Sequence, residues 1–467
     1  MASRGGKTTK KAIASKQAHA QERVTDRRKS VTHAFESVAD ALDADASALA
    51  RIRPEVRDLV PDLVALRRDF HRHPERGFEE VRTSAKIAEE LARQGGWKIR
   101  TGVAKTGVIA DLETKDARGP TVLLRADMDA LRTQEDNEGL AYASTNPGVM
   151  HACGHDGHMA ILLGAARVLA RHRGAMRGGV RLVFQPAEEG PGGAEPMIAA
   201  GALENPRPDA AFGLHLWSRL PIGYAGVRPG PMMASSDELF LRVRGKGCHG
   251  ASPHEGIDAI HAAAQLVVAL QGIVSRNVNP LQSAVLTIGR IQGGSVVNAI
   301  AEEVVLEGTQ RAFLPEVRAL LQRRVHETAA GIDAAWGTRT RVEYVPRYPA
   351  LVNDARMTGL VCEELSALLG ADGIREYQVM GAEDMSFFLA QVPGCFFFLG
   401  AGNPAKGAAW PQHSPHFNID EDALPLGVEL LVRLAERFVM PPGDVATTRG
   451  DAKTGAGRRG AKQGGAA

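Results

Sequence analysis

The chain has 467 residues, 44% hydrophobic and 24% charged, with a formal net charge of +2. That length predicts two folding units, and the near-neutral balance argues against nucleic acid as the main partner. No uninterrupted apolar run of about 18 residues predicts a membrane span. Four scattered cysteines, Cys153, Cys248, Cys362 and Cys395, form no disulfide framework and fit a reducing, cytoplasmic setting.

Residues 1–50 read as a disordered basic extension. The first 30 carry nine Lys or Arg against Glu22 and Asp26 and lack the apolar core of a secretory signal. Helical periodicity follows at 54–70, closing at His73-Pro74, and at 83–94, closing at Gly95-Gly96. Short apolar runs at 108–111, 121–125, 180–184 and 210–216 predict buried strands, alternating with helices at 159–172 and 195–200. This alternation predicts an α/β catalytic domain with a central, mostly parallel sheet. From 232 to 345 the order becomes strand 238–244, helix 257–274, strands 283–291 and 303–309, helix 316–329 and strand 338–344. That order predicts an inserted ferredoxin-like βαββαβ domain, 232–345, serving as lid and dimerisation surface. The first domain, 51–231, then resumes over 346–440 with a strand at 395–399 and a helix at 424–438. Residues 441–467, rich in Gly, Ala, Arg and Lys, predict a disordered tail.

The densest chemistry lies at Met150-His-Ala-Cys-Gly-His-Asp-Gly-His158, directly before an apolar helix. Imidazole, thiolate and carboxylate together suit a divalent transition metal better than calcium or magnesium. A structural zinc knuckle would usually bring a Cys-x2-Cys pair, and none occurs. A histidine cluster held only by hydrogen bonds is the blander alternative. Further donors follow predicted strands: Asp127 and Asp129 after 121–125, Glu188 and Glu189 after 180–184, and His215 at the end of 210–216. Open α/β sheets bind ligands beyond the carboxyl ends of their strands, so these groups converge on one rim. Gly192-Gly193 and Gly293-Gly294 match no phosphate-binding loop.

Seven segments then carry a resemblance in order and spacing. They are Arg125-Ala-Asp-Met-Asp-Ala-Leu131, the 150–158 patch, Phe184-Gln-Pro-Ala-Glu-Glu-Gly190, Gly213-Leu-His-Leu-Trp217, Gly245-Lys-Gly-Cys-His-Gly-Ala251, Gly381-Ala-Glu-Asp384 and His413-Ser-Pro-His-Phe417. Together they resemble the amidohydrolase branch of the dinuclear metallopeptidases, which includes hippurate hydrolase, N-acyl-amino-acid amidohydrolases and indoleacetyl-amino-acid hydrolases. The resemblance covers about 53–439 and leaves both ends outside it.

It implies Cys153, His155, Glu189, His215 and His413 as ligands of two divalent ions per subunit (manganese, zinc, cobalt or nickel), with His416 a rival to His413. It implies Glu188 as the general base, Asp129 beside it in the catalytic set, and Asp127 orienting ligands from behind. Asp156 and His158 are expected to be structural. His249 is implied as an oxyanion donor, in some members reaching across a dimer, with Asn298 and Arg311 holding the substrate carboxylate. Two departures bear on specificity: Arg132 stands where the family commonly has Pro, and Asn298-Ala-Ile-Ala301 replaces a more typical Asn-Val-Ile-Pro. The expected protein is thus a cytoplasmic, metal-dependent hydrolase of small N-acyl amino acids, with no membrane or nucleic-acid partner, and a homodimer or higher homo-oligomer. A dipeptidase or an aminoacylase of different acyl range is the nearest alternative. A catalytically degenerate binding protein would have no need of Glu188, and a thiol redox enzyme built on Cys153 would need a second cysteine nearby.

Overall fold

The computed structural model describes residues 47–440. Along the chain, α1 (Val60–Arg72) and α2 (Val81–Gln94) lead into β1 (Trp97–Val103), β2 (Gly107–Leu112) and β3 (Asp116–Asp127). Next come α3 (His155–His172), β4 (Arg177–Gln185), α4 (Ala194–Ala199), β5 (Ala210–Pro221), β6 (Ala225–Gly226) and β7 (Gly230–Met233). A second block holds β8 (Ser235–Arg244), β9 (Cys248–His249), α5 (Ala259–Asn277), β10 (Ala284–Gly293), β11 (Ala299–Ile300), β12 (Glu303–Ala312), α6 (Pro315–Trp336) and β13 (Arg339–Tyr348). The chain then adds β14 (Leu351–Asn353), α7 (Ala355–Leu369), β15 (Ile374–Arg375), α8 (Met385–Leu389), β16 (Gly394–Gly402) and α9 (Ala423–Val439).

The main sheet runs β1-β2-β4-β3-β5-β16-β6-β15. Its centre, β4-β3-β5-β16, is parallel, while β1, β2 and the β6–β16 contact are antiparallel. The central strands are apolar on both faces because both faces are covered. Val122, Leu124 and Phe212 meet a core built with α1, α3 and α9, while Leu123, Val183 and Phe396 meet one built with α4 and α8. Almost every residue of α3 is buried, as suits a helix whose apolar character runs all the way round.

The second sheet, β10-β12-β8-β13, is antiparallel throughout and has the expected βαββαβ order. Leu239, Leu241, Val243, Val304 and Leu306 share a core with residues of α5 and α6. Strand alternation turns Ser236, Glu238, Thr309 and Arg311 to the opposite face. By length and composition α5 could cross a membrane. Here it packs Ala262, Ala263, Leu266, Leu270 and Ile273 into this core instead.

Several expectations are corrected. The helix expected over 54–70 is broken into a turn, Pro54–Arg57, and α1. Pro61 in the first turn of α1 has no N–H to carry the earlier helix onward. The exposed edge strand β1 and the helix α7 escaped prediction, and β5 runs past 216 to Pro221. Residues 47–50 form a helical turn that buries Ala48, so disorder over all of 1–50 is overturned there. The remainder of that expectation, and the tail 441–467, lie outside the described residues.

A buried charge cluster ties the beginning of this fold to its end. Arg53 bonds Glu429 and Glu436 of α9, and His172 at the end of α3 lies 3.1 Å from both Glu436 and Glu55. Hydrogen bonds to Glu436 and Glu55 outweigh burial and raise the His172 imidazole from 6.5 to about 9. A folded-state pKa above the unfolded one stabilises fully below about pH 6.5, and the contribution is lost as pH rises through about 9. Melting curves of the parent and His172→Gln should therefore be separated at pH 6 and converge above about pH 9; a constant gap would refute this role.

Candidate metal centre

Parallel register brings strand ends to one level. Arg125 of β3 pairs with Val183 of β4 and Gly213 of β5. Asp127 therefore lies beside Gln185, and His215 stands two residues beyond Gly213. His215 is not at its own strand's end, as expected, but inside β5, which continues along β16. It emerges because the neighbouring β3 has stopped. Cys153 arrives on the loop before α3, where Gly154 at φ 98 makes a turn that a side chain would strain.

The histidines are oriented through their rear nitrogens. Nδ1 of His155 contacts the Asp129 carbonyl at 2.9 Å, and Nδ1 of His215 contacts the Leu216 carbonyl at 2.8 Å. Each carbonyl accepts a hydrogen bond from Nδ1–H, which keeps the proton on Nδ1 and leaves Nε2 as the ligating atom. Nε2 of His215 lies 3.4 Å from the Cys153 sulfur. Nε2 of His155 is buried without a hydrogen bond. Oε1 of Glu189 makes none either, although Nε2 of His413 is 3.1 Å away. Donor atoms of Cys153, His155 and His215 lie within 4.8 Å of one another, as do those of Cys153, Glu189 and His413. Cys153 is common to both sets, so a single thiolate can serve two neighbouring ions.

His413 takes a left-handed φ of 68 and donates its N–H to the Ala152 carbonyl at 2.7 Å, which fastens its loop to the Cys153 loop. His416 turns to the Asp136 carbonyl and belongs to neither donor set. His158 is occupied at both nitrogens, by Asp127 at 2.7 Å and by the Leu216 N–H at 2.8 Å. Asp156 accepts from Arg67 and lies 2.8 Å from Nδ1 of His71. His158 and Asp156 thus brace the loop and helix.

Adjacent glutamates are separated by their backbone. Asp129 accepts the N–H of Glu188 at Oδ1 (2.9 Å) and of Glu189 at Oδ2 (3.0 Å). The expectation of Asp129 among the reacting groups is corrected here, because both of its oxygens hold the Glu188–Glu189 turn and it does not line the cleft. Tyr348 donates to the Glu188 carbonyl at 2.6 Å from the second sheet.

Negative charge exceeds what the fixed cations offset. Arg125, buried, bonds Asp127, Glu383 and Asp384 at 2.8–2.9 Å. Burial, reinforced by Glu383 and Glu189, pushes the Glu188 carboxyl well up. Burial, with Glu189 and Glu188, pushes up the Cys153 thiol. At His155 burial acts downward, but Asp127, then Asp129 and Glu189, outweigh it and raise the imidazole to about 10. A centre that anionic, with Nε2 of His155 and Oε1 of Glu189 lacking hydrogen bonds beside the Cys153 sulfur, fits divalent cations.

The donors open into a cleft of about 660 Å³ between the two sheets. Trp217, Arg219, Met233, Val379, Met380 and Gln412 line the main-sheet side, and Ser236, Glu238, Val285, Thr309, Arg311 and Arg347 the other. Arg347 pairs with Glu238 at 2.9 Å, whereas Arg311 has no ion pair among the described residues and its pKa is lowered by burial. His249 and Asn298 are not brought to the cleft. They lie exposed on the β9–β11 ribbon beyond the far end of β8. At a rise of roughly 3.4 Å per residue, Arg244 is about 27 Å along β8 from Ser236.

Residues 123–437 match the family described as Peptidase family M20/M25/M40. The chain belongs to this family. It is 42% identical over 381 residues to the N-acetyl-L-cysteine deacetylase of Bacillus subtilis, covering 82% of this chain and 89% of that one. It is 40% identical over 383 residues to the IAA-amino acid hydrolase ILR1-like 4 of Arabidopsis thaliana, with 81% and 86% covered. Its fold is similar to the crystal structure of the Bacillus subtilis YXEP protein, a dinuclear metal-binding peptidase of the M20 family. The TM-score is 0.71 at 34% identity, with 81% of this chain and 98% of that one covered. This M20 protein is a metal-dependent amidohydrolase.

Arg125, Glu383 and Asp384 fall within the resembling segments, yet their shared role emerges only from the fold. The available signal was a charged residue inside the apolar run 122–126, which a buried strand tolerates only with partners. Tyr348 carried no such signal. Cys153→Ala is expected to lower the metal content of the purified M20 protein by at least one ion per chain while leaving it folded. Elemental analysis with circular dichroism checks this; an unchanged metal ratio would show that the thiol is not a ligand.

Proposed function

We propose that this M20 protein hydrolyses the amide bond of N-acyl amino acids, releasing a carboxylic acid and a free amino acid. The observation that carries this is the sharing of Cys153 between two donor sets, directly beside a buried carboxyl with a raised pKa. Cys153, His155 and His215 would hold one divalent ion, and Cys153, Glu189 and His413 the other, with manganese, zinc, cobalt and nickel all suited. Bound there, the ions supply polarisation of the amide carbonyl and a water of lowered pKa.

Glu188 takes the water's proton and returns it to the departing amine. Burial suits it to that exchange, because a carboxyl pushed up from its ordinary range holds a proton more readily. Asp129 and Tyr348 hold the backbone of Glu188 still meanwhile. Arg311, half-buried and with no ion pair among the described residues, receives the substrate's α-carboxylate through its fork of donors. The apolar lining from Trp217, Met233, Val285, Val379 and Met380 suits an aromatic acyl group such as benzoyl or indoleacetyl. The unit over 232–345 acts as a lid, and His249 reaches the developing oxyanion from a second copy of the chain. The length of β8 supports that source over a swing within one chain. Four free cysteines support a cytoplasmic setting.

Glu188→Gln should keep its metal and lose about 10²–10⁴-fold in kcat on N-benzoyl and indoleacetyl amino acids. Retention of kcat within about tenfold would place the base elsewhere. Turnover of dipeptides with none of any N-acyl amino acid would move the assignment to a dipeptidase. Arg311→Ala should raise KM about 10–100-fold for substrates with a free carboxylate and leave the corresponding amides nearly unaffected. Equal effects on both would remove Arg311 from the carboxylate site. Mixing inactive His249→Ala with inactive Glu188→Gln should restore activity up to about half of one parent site if the histidine acts across subunits; no recovery would place it within one chain.

A further inference from the structure

Glu80 lies outside the cleft and outside both donor sets, yet it bonds the turn that carries Glu188 and Glu189. It stands at the first position before α2, makes no side-chain capping bond there, and is fully buried. Oε1 accepts the N–H of Ala187 at 2.9 Å, and Oε2 accepts the Thr106 hydroxyl at 2.6 Å. Ala187 sits at φ 56, a left-handed conformation that an L residue keeps only when its surroundings impose it. Three consecutive N–H groups are thereby held by buried carboxylates: 187 by Glu80, and 188 and 189 by Asp129. The segment bearing Glu80 also presses on the turn. A Cβ added at Gly77 would come within 2.8 Å of the Ala187 Cβ and 3.5 Å of Oδ2 of Asp129.

We propose that Glu80 is a positioning residue for the reaction. By holding Ala187 in the left-handed conformation, it aims Glu189 at the ions and Glu188 at the water. Asp129 alone fixes the two peptides after Ala187, but rotation about Ala187 would carry both glutamates with it. The role is one of hydrogen-bond reach, not of charge. Glutamine can accept the Ala187 N–H through Oε1 and donate through Nε2 to the Thr106 oxygen, whose own proton is free to turn away. Aspartate carries the charge but is one methylene too short. The proposal rests on Glu188 and Glu189 being base and ligand.

The test compares Glu80→Gln, Glu80→Asp and Glu80→Ala in the full chain. Each is stripped of metal, titrated calorimetrically with Mn²⁺, reloaded, and assayed well below its own melting temperature. Misplaced partners of ligating groups typically cost 10–100-fold in metal affinity or activity. The Ala and Asp variants should weaken Mn²⁺ binding and lower kcat by about that range, with KM little changed. Glu80→Gln should stay within about threefold of the parent in both. Gln as impaired as Ala would overturn the geometric role, and so would an Ala variant that melts lower but keeps parental Mn²⁺ affinity and kcat. The titration needs no substrate. A parent that binds Mn²⁺ but cleaves no N-acyl amino acid would therefore refute the proposed function, while the Mn²⁺ affinities still decide the role of Glu80.

Discussion

Arg125 stands inside the main sheet with its guanidinium shared among Asp127, Glu383 and Asp384, while Gln185 and two backbone N–H groups complete the bonding of Asp384. A charge removed from water must be paired and hydrogen-bonded, or the fold does not tolerate it. One guanidinium hydrogen-bonds the three carboxylates behind the centre but offsets only part of their charge. It bonds none of Glu188, Glu189 and the Cys153 thiol, which crowd together facing the cleft, burial and the neighbouring carboxylates raising Glu188 and Cys153. The protein thus builds a pocket of negative charge with the rear hydrogen-bonded to Arg125 and the front left for cations. Any ion bound only by the folded state adds to stability through mass action, so metal and fold support one another.

The same division governs where the reactive groups point. Side-chain reach does little of the aiming; backbone hydrogen bonds do most of it. The carbonyls of Asp129 and Leu216 turn the imidazoles, the carboxylates of Glu80 and Asp129 fix three successive peptides, and the Ala152 carbonyl fastens the His413 loop. Loops carry Cys153, Glu189 and His413, and each is bonded to a strand end or to another ligand's loop, which limits how far those donors can drift.

The cleft depends on the second sheet as much as on the first. Helices cover one face of that sheet, and strand alternation turns Arg311, Thr309, Ser236 and Glu238 toward the centre from the other. A long β8 carries the β9–β11 ribbon well away from that opening. The cleft is therefore lined from both sheets, while both metal-donor sets come from the first domain.

The amino-acid pattern alone determined the α/β class, the βαββαβ block and the donor types at Cys153, His155, Glu188, Glu189, His215 and His413. Periodicity and strand-end placement are local properties, and the chemistry of a side chain travels with its identity. Element ends were less legible: Pro61 split a helix, Thr101 interrupts the Trp97–Ile99–Val103 alternation of edge strand β1, and β5 outran β3. Tertiary structure alone decided that Cys153 belongs to both donor sets and that His413, not His416, joins them. It also showed that Asp129 and Glu80 serve the backbone, and that His249 and Asn298 stand apart from the cleft. Each of these depends on which distant segments approach and which hydrogen bonds their backbones exchange, a matter settled by strand register and burial rather than by any residue's neighbours in the chain.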